Sequence, residues 1–167
     1  MASTAIDATL QALLDLWRAT VQGNTPKVEV FDAEDDWAAH LTTSILVGVK
    51  YDIDRGELVG EVDGQQSFPN LSTRSKDESL VIPHSILAWS GDQKVANRRT
   101  EALALWQQLE AAHRPKNDLG ISATTHPGIT VMGSQFGSDF SLRYLHTDNG
   151  NAAVLTWDVA VTTRLTN

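Results

Sequence analysis

Cysteine is absent from the chain. Disulfide bridges and thiolate metal sites are therefore excluded, and the lack agrees with synthesis in a reducing, cytosolic compartment. Long apolar runs are missing too. None approaches the roughly 18 residues that span a bilayer, and Met1-Ala2-Ser3-Thr4 carries no basic n-region, so neither a membrane span nor a signal peptide is expected. Cations are scarce: 13 Lys and Arg face 21 Asp and Glu, a formal charge of −8. Tight binding to a phosphate backbone depends on Lys and Arg displacing counterions, which a surface of this sign opposes. Arg98-Arg99 is the one adjacent basic pair, with Arg99 on or beside an apolar helical stripe, and both are expected to make local ion pairs on the helix. Such acidity still suits a surface past which DNA slides without adhering.

Catalytic signatures are also lacking. No two of the five histidines stand at the i, i+4 spacing of a helical zinc site. His84 lies in an apolar strand and His146 on the apolar face of a hairpin, and both are expected to be satisfied, partly buried side chains. Asp52-Ile53-Asp54-Arg55-Gly56-Glu57 opens like a calcium loop, but Arg55 stands where an oxygen ligand is needed and no glutamate follows at the right distance, so it reads as a hydrated turn. Glu34-Asp35-Asp36 reads as solvated. No serine occupies a Gly-x-Ser-x-Gly elbow, and Gly133-Ser134-Gln135-Phe136-Gly137 has the wrong spacing for a phosphate loop. No catalytic residue, cofactor or metal is expected.

The stretch around which the chain is organised runs from Glu78 to Pro115. Its first part, Leu80-Val81-Ile82-Pro83-His84-Ser85-Ile86-Leu87-Ala88-Trp89, is an apolar run of strand length. Ser90-Gly91-Asp92 follows as a turn, with Asp92 as a helix N-cap. Val95, Arg99, Ala102, Leu103, Trp106, Leu109 and His113 then recur at spacings of three and four, a helical stripe that Pro115 ends. A buried strand turning into a helix that packs back on the sheet is expected at the centre of the fold.

Around it, residues 4–22 read as a helix from Ile6, Leu10, Leu13, Leu14, Trp17 and Val21. Thr4 and Asp7 resemble a capping box, Gly23-Asn24 a stop, and Pro26 prevents continuation. Residues 27–31 and 42–51 read as strands beside the central one. Residues 52–77 form a polar arm with turn signals at Arg55-Gly56 and Asp63-Gly64, and with 57–62 as a short strand between them. Residues 128–136 read as a strand. The segment 139–147 alternates, with Phe140, Leu142, Tyr144 and His146 on one face. Asp148-Asn149-Gly150 is a hairpin turn, and Leu155, Trp157, Val159 and Val161 alternate on the return strand, making a pair with one buried face. Trp89, Trp106 and Trp157 occupy periodic apolar positions and are expected in the core. The class is α+β: one domain over 1–167, a mixed, mainly antiparallel sheet, two packed helices (about 4–22 and 92–114) and a long C-terminal hairpin.

The order of these segments, with Ile86-Leu87-Ala88-Trp89-Ser90-Gly91-Asp92 running into an Ala- and Arg-containing helix and Thr147-Asp148-Asn149-Gly150 running into the strand that ends at Arg164-Leu165, resembles small virion proteins of long-tailed actinobacterial phages. These are tail terminators and related head-to-tail connector proteins. The match spans nearly the whole chain. It departs at the 116–127 connector and at the richly polar 52–77 region, which leaves the position in the neck open. The resemblance implies a ring, typically a hexamer, at the head-proximal end of a tail tube, where it ends tube polymerisation and meets a head connector or stopper protein. DNA passes through the lumen without sequence-specific binding. The implied place is the virion neck, assembled in the host cytoplasm, and the implied mechanism is assembly rather than turnover. On the same ground the 52–77 arm, with Phe68 and Leu71 as apolar anchors and Arg74 and Lys76 beside them, and the exposed strand edges are the expected subunit interface. The competing readings are a stopper or other neck ring, a small-molecule-binding α+β domain, which would show a deep pocket of converging titratable groups, and a host-directed inhibitor with one isolated apolar patch.

Overall fold

The computed structural model describes residues 4–32, 43–68, 75–90, 95–122, 124–147 and 150–166. In chain order these form α1 (Ile6–Val21), β1 (Glu29–Asp32), β2 (Ser44–Val47), β3 (Lys50–Asp52), β4 (Glu57–Val59), β5 (Asp63–Ser67), β6 (Ser75–Ser90), α2 (Val95–His113), β7 (Ile129–Thr147) and β8 (Gly150–Thr166). The main sheet has the order β1-β2-β6-β8-β7, with β5 paired to β6 on the same side as β2. Only β1 and β2 run parallel within it; the other pairings are antiparallel. The protein is thus α+β, with two helices on a mixed, mostly antiparallel sheet that ends in the β7–β8 hairpin. A separate two-stranded sheet is formed by β3 and β4.

The helix α1 buries Leu13, Leu14, Trp17 and Val21, the stripe its spacing predicts. Its N-terminus is not closed by a Thr4–Asp7 box. Ala5 occupies the cap position and has no side chain to offer, so the acceptor comes from β6: the Glu78 carboxylate takes the Ala5 N–H at 2.7 Å and the Thr4 hydroxyl at 2.8 Å. In α2 the buried residues are Ala102, Leu105, Leu109 and His113, with Arg98 half-buried and ion-paired to Glu101. Arg99 is exposed. Ala102, Leu109 and His113 of the expected stripe are thus buried, Leu105 joins them, and Val95, Leu103 and Trp106 lie half-buried at its margin.

Long-range pairing corrects three strand assignments. The expected strand over 42–51 breaks at Gly48, whose φ of 83° is left-handed and whose N–H donates to the Pro83 carbonyl at 2.8 Å. Beyond that break β3 leaves the main sheet. Asp63-Gly64 is not a turn but the start of β5, in register with Val81 and Leu80, so much of the polar arm is β-structure. The two segments expected at 128–136 and 139–147 are one strand, β7, whose pairing to β8 slips between Val131 and Gly133 and again between Phe136 and Phe140. Gly137 sits in the second irregularity because a Cβ there would lie 2.4 Å from the Asp158 carbonyl oxygen.

The helices lie on one face of the sheet. There Leu80, Ile82, His84 and Ile86 of β6 meet Val161, Val159, Trp157 and Leu155 of β8 in direct register, and all eight are buried. The alternation in β8 is the one its sequence predicts. The β3–β4 hairpin folds over the opposite face, where the Tyr51 N–H donates to Ser85 Oγ at 2.9 Å. Trp157 is a core residue, whereas Trp89 and Trp106 are half-buried.

Candidate assembly surfaces

The buried titratable groups belong to the core. His84 is fully buried, stacked on Trp157 with ring centroids 5.0 Å apart, and its Nδ1 lies 2.9 Å from the Ile82 carbonyl. Burial pushes its pKa down to about 3, against the smaller opposing effect of the Ile82 carbonyl. Its Nε2 has no partner among the described residues. His113 is held down by desolvation as well and meets Ser134 Oγ at 3.0 Å through Nε2. Among the described residues neither histidine is hydrogen-bonded to a carboxylate. His146 is exposed, not on a buried face, and its ring contacts Asn151. Among the described residues no group of three or more His, Asp or Glu is placed to hold a metal ion.

A cleft of about 390 Å³ lies beneath the β3–β4 hairpin, lined by Lys50, Tyr51, Asp54, Arg143, Val154 and Thr156. Two ion pairs cross it: Lys50 to Asp158 and Arg143 to Asp54, each at 2.8 Å. The Asp54 carboxylate, by hydrogen bond and by charge, raises the Arg143 pKa further. Opposite charges facing one another in this way fasten the hairpin across the sheet.

Of the exposed large apolar side chains among the described residues, Met132, Phe140 and Tyr144 all lie on the outermost strand β7. Strands are spaced about 4.8 Å apart and packed helices about 10 Å, so two helices cover roughly four strands. Here α1 packs on β1, β2 and α2, and α2 lies chiefly over β6 and β8. The outermost strand, β7, is left half open. Phe140 and Tyr144 are 47% and 46% exposed, although their alternation reads as a buried face. Phe140 packs at 5.2 Å against Trp106, which also meets Phe136 at 5.4 Å. Leu142, half-buried, lies between the two exposed rings on the same face of β7. The irregularities in β7 lie before Phe140; from Phe140 to Thr147 its register with β8 is unbroken. Bulges blunt an edge against pairing, so this regular stretch is the part of the edge best able to accept a neighbour.

Of the interface residues expected from sequence, Phe68 follows β5 and is 69% exposed. Lys76 is half-buried in β6 and donates to Gln66 Oε1 at 3.0 Å. Beside it Arg164 grips Asp77 with two hydrogen bonds, at 2.7 and 3.0 Å, which hold the Asp77 carboxyl below the usual carboxylate range. Leu71 and Arg74 lie outside the described residues, as do Gly91 and Asp92. The structure therefore places Phe68 exposed just beyond β5 and Lys76 within β6, inside the sheet. Sequence reasoning missed Phe140 and Tyr144, because periodicity marks a shared face without saying whether anything covers it. No protein-family model matches the chain, and comparison with curated proteins gives no match.

Proposed function

We propose that the protein is a structural component of a long-tailed phage virion, a tail terminator whose copies close into a ring, typically of six, at the head-proximal end of the tail tube. The ring stops tube polymerisation, offers its other side to the head connector and lets DNA pass through an acidic lumen. The reading begins from the resemblance in segment order and in the Ile86–Asp92 and Thr147–Gly150 strings. The observation that carries it furthest is a pair of unlike sheet edges. On one flank β7 has no strand partner beyond β8 among the described residues; the other flank ends in β1, paired to β2, and beside it in β5, paired to β6. Exposed large apolar side chains accompany both: Met132, Phe140 and Tyr144 on β7, and Phe68 just after β5. Two different edges on opposite flanks suit a heterologous contact, which makes a ring when its rotation closes. The net charge of −8 suits a lumen that must not retain DNA.

The test is the mass of the purified protein over a range of concentrations, with negative-stain images of the same sample. A discrete ring with a central hole is the expected result. A strict monomer that purified tail tubes also fail to recruit to one end refutes the reading.

A further inference from the structure

We infer that the β3–β4 hairpin is a strap that opens from the sheet as a unit, pivoting at Gly48 and Gly60 and latched by two ion pairs that salt weakens. This does not depend on the ring reading. Both ends of the strap are fixed. Before it, β2 is paired to β6 up to Val47, and the Gly48 N–H donates to the Pro83 carbonyl at 2.8 Å. After it, β5 joins β6 from Asp63 onward. At the neck a Cβ on Gly60 would lie 2.4 Å from Val49 Cγ1 and 2.6 Å from the Gly48 carbonyl oxygen, so the two ends meet where only glycine fits.

Between those points little holds the hairpin down. From Lys50 to Val59 no residue is buried; each is half-buried or exposed. The two strands have three residues each, and β4 pairs with β3 alone among the described residues. A lone two-stranded hairpin is marginal in water, so the closed position depends on what ties it to the sheet. Those ties are the Tyr51 N–H donating to Ser85 Oγ at 2.9 Å and the two ion pairs, Lys50 to Asp158 and Arg143 to Asp54. The four ion-paired side chains are 41%, 42%, 57% and 75% exposed. Pairs as open as these hold weakly and are screened by salt. A segment with few buried contacts opens far more often than the core beneath it.

The gradient of exposure along β8 shows what the strap covers. On this face Val154 is buried and Thr156 and Asp158 are half-buried, all three beside hairpin residues. Farther along the strand Ala160 and Arg164 are exposed. Ser85 and Val154 are only 0% and 2% exposed. Opening therefore bares both of them, parts Asp158 from Lys50 and Arg143 from Asp54, and leaves an apolar strip beside two unpaired charges. The closed strap withholds that surface, and ionic strength sets how often it is uncovered.

Amide hydrogen exchange on the intact chain reads the opening directly. The Tyr51 amide, bonded to Ser85, and the bonded amides of the β3–β4 ladder should share one protection factor. It should be about a hundredfold or more below that of β6 and β8 around Trp157. Raising the salt from about 20 mM to about 500 mM should speed these amides about threefold or more and leave β6 and β8 unchanged. Asp54→Asn with Asp158→Asn should speed them as much at low salt and abolish the salt response, with the melting temperature within about 2 °C of wild type. The chain has no cysteine, so Asp54→Cys with Arg143→Cys can be joined by a short bis-maleimide to hold the strap shut. Joining them should slow the same amides about tenfold or more. The strap is overturned if its amides exchange in step with β6 and β8 or if salt leaves the wild type unchanged. A salt response that persists in the double Asn variant, or a crosslink that slows nothing, overturns it equally.

Discussion

Replacing Glu78 with alanine tests how the N-terminal helix is attached to the sheet. The carboxylate is 2% exposed and serves three donors on separate parts of the chain: the Thr4 hydroxyl at 2.8 Å, the Ala5 N–H at 2.7 Å and the Gln66 amide at 2.7 Å. Thr4 and Gln66 can turn toward water after truncation, but the Ala5 N–H cannot, because Ala5 is fully buried. Leaving that donor unsatisfied costs about 1–3 kcal/mol, and removing an anion from the end of α1 costs about 0.5–1 kcal/mol more. The expected total is about 3 kcal/mol, or about 6–12 °C in melting temperature for a chain of this size. Glu78→Gln keeps one acceptor oxygen but turns an N–H₂ toward a donor, and should lose about half as much. Thermal melts followed by circular dichroism give the magnitude, and amide exchange gives the location, with protection lost first in α1. A shift below about 3 °C for the alanine variant, or undiminished protection in α1, would refute the view that Glu78 caps this helix.

Two further perturbations follow from the core. His84 has a folded pKa near 3 against an ordinary 6.5, so the unfolded chain takes up its proton first and stability is lost as pH falls from 6.5 toward 3. Between pH 6.5 and 4.5 the loss should be about 2 kcal/mol, His113 adding in the same direction, and His84→Phe, stacked on Trp157 in the same place, should flatten the profile; an unchanged pH slope in that variant would rule out His84 as its source. Gly137→Ala puts a Cβ at 2.4 Å from the Asp158 carbonyl oxygen and should cost about 2 kcal/mol or more, whereas Gly133→Ala, with nothing within 4 Å, should change stability by less than about 0.5 kcal/mol. Denaturant titrations of the two variants side by side check the contrast, and equal midpoints would contradict the close approach.

Where burial follows a repeat, the sequence is legible. Leu13, Leu14, Trp17 and Val21 mark α1, and Leu155, Trp157, Val159 and Val161 mark the inner face of β8, because one chain segment contains all the information that a 3.6- or 2-residue period requires. The polar arm is different. Asp63-Gly64-Gln65-Gln66-Ser67 has turn-forming composition and every residue in it is exposed, yet it is a strand, because β6 supplies a free edge in register. Propensity was outweighed by backbone pairing with partners ten to eighteen residues away. Glu78 was similarly illegible as a cap, since it closes a helix that begins more than seventy residues earlier. The candidate site was legible in part: Phe68 stands out as an apolar residue in a polar stretch, while Phe140 and Tyr144 look like core.

The sequence by itself determined the class and the number of helices, the long C-terminal hairpin, the inner face of β8 and the acidic charge. All of these depend on local periodicity, on a turn dipeptide or on composition. Tertiary structure alone decided the strand order, the break at Gly48 that sends β3 and β4 across the opposite face, and which apolar face stays open. The last is a matter of area. Two helices cannot cover a sheet five strands wide, and because α2 settles over β6 and β8, the aromatic residues of β7 are left half open at the surface beside α2.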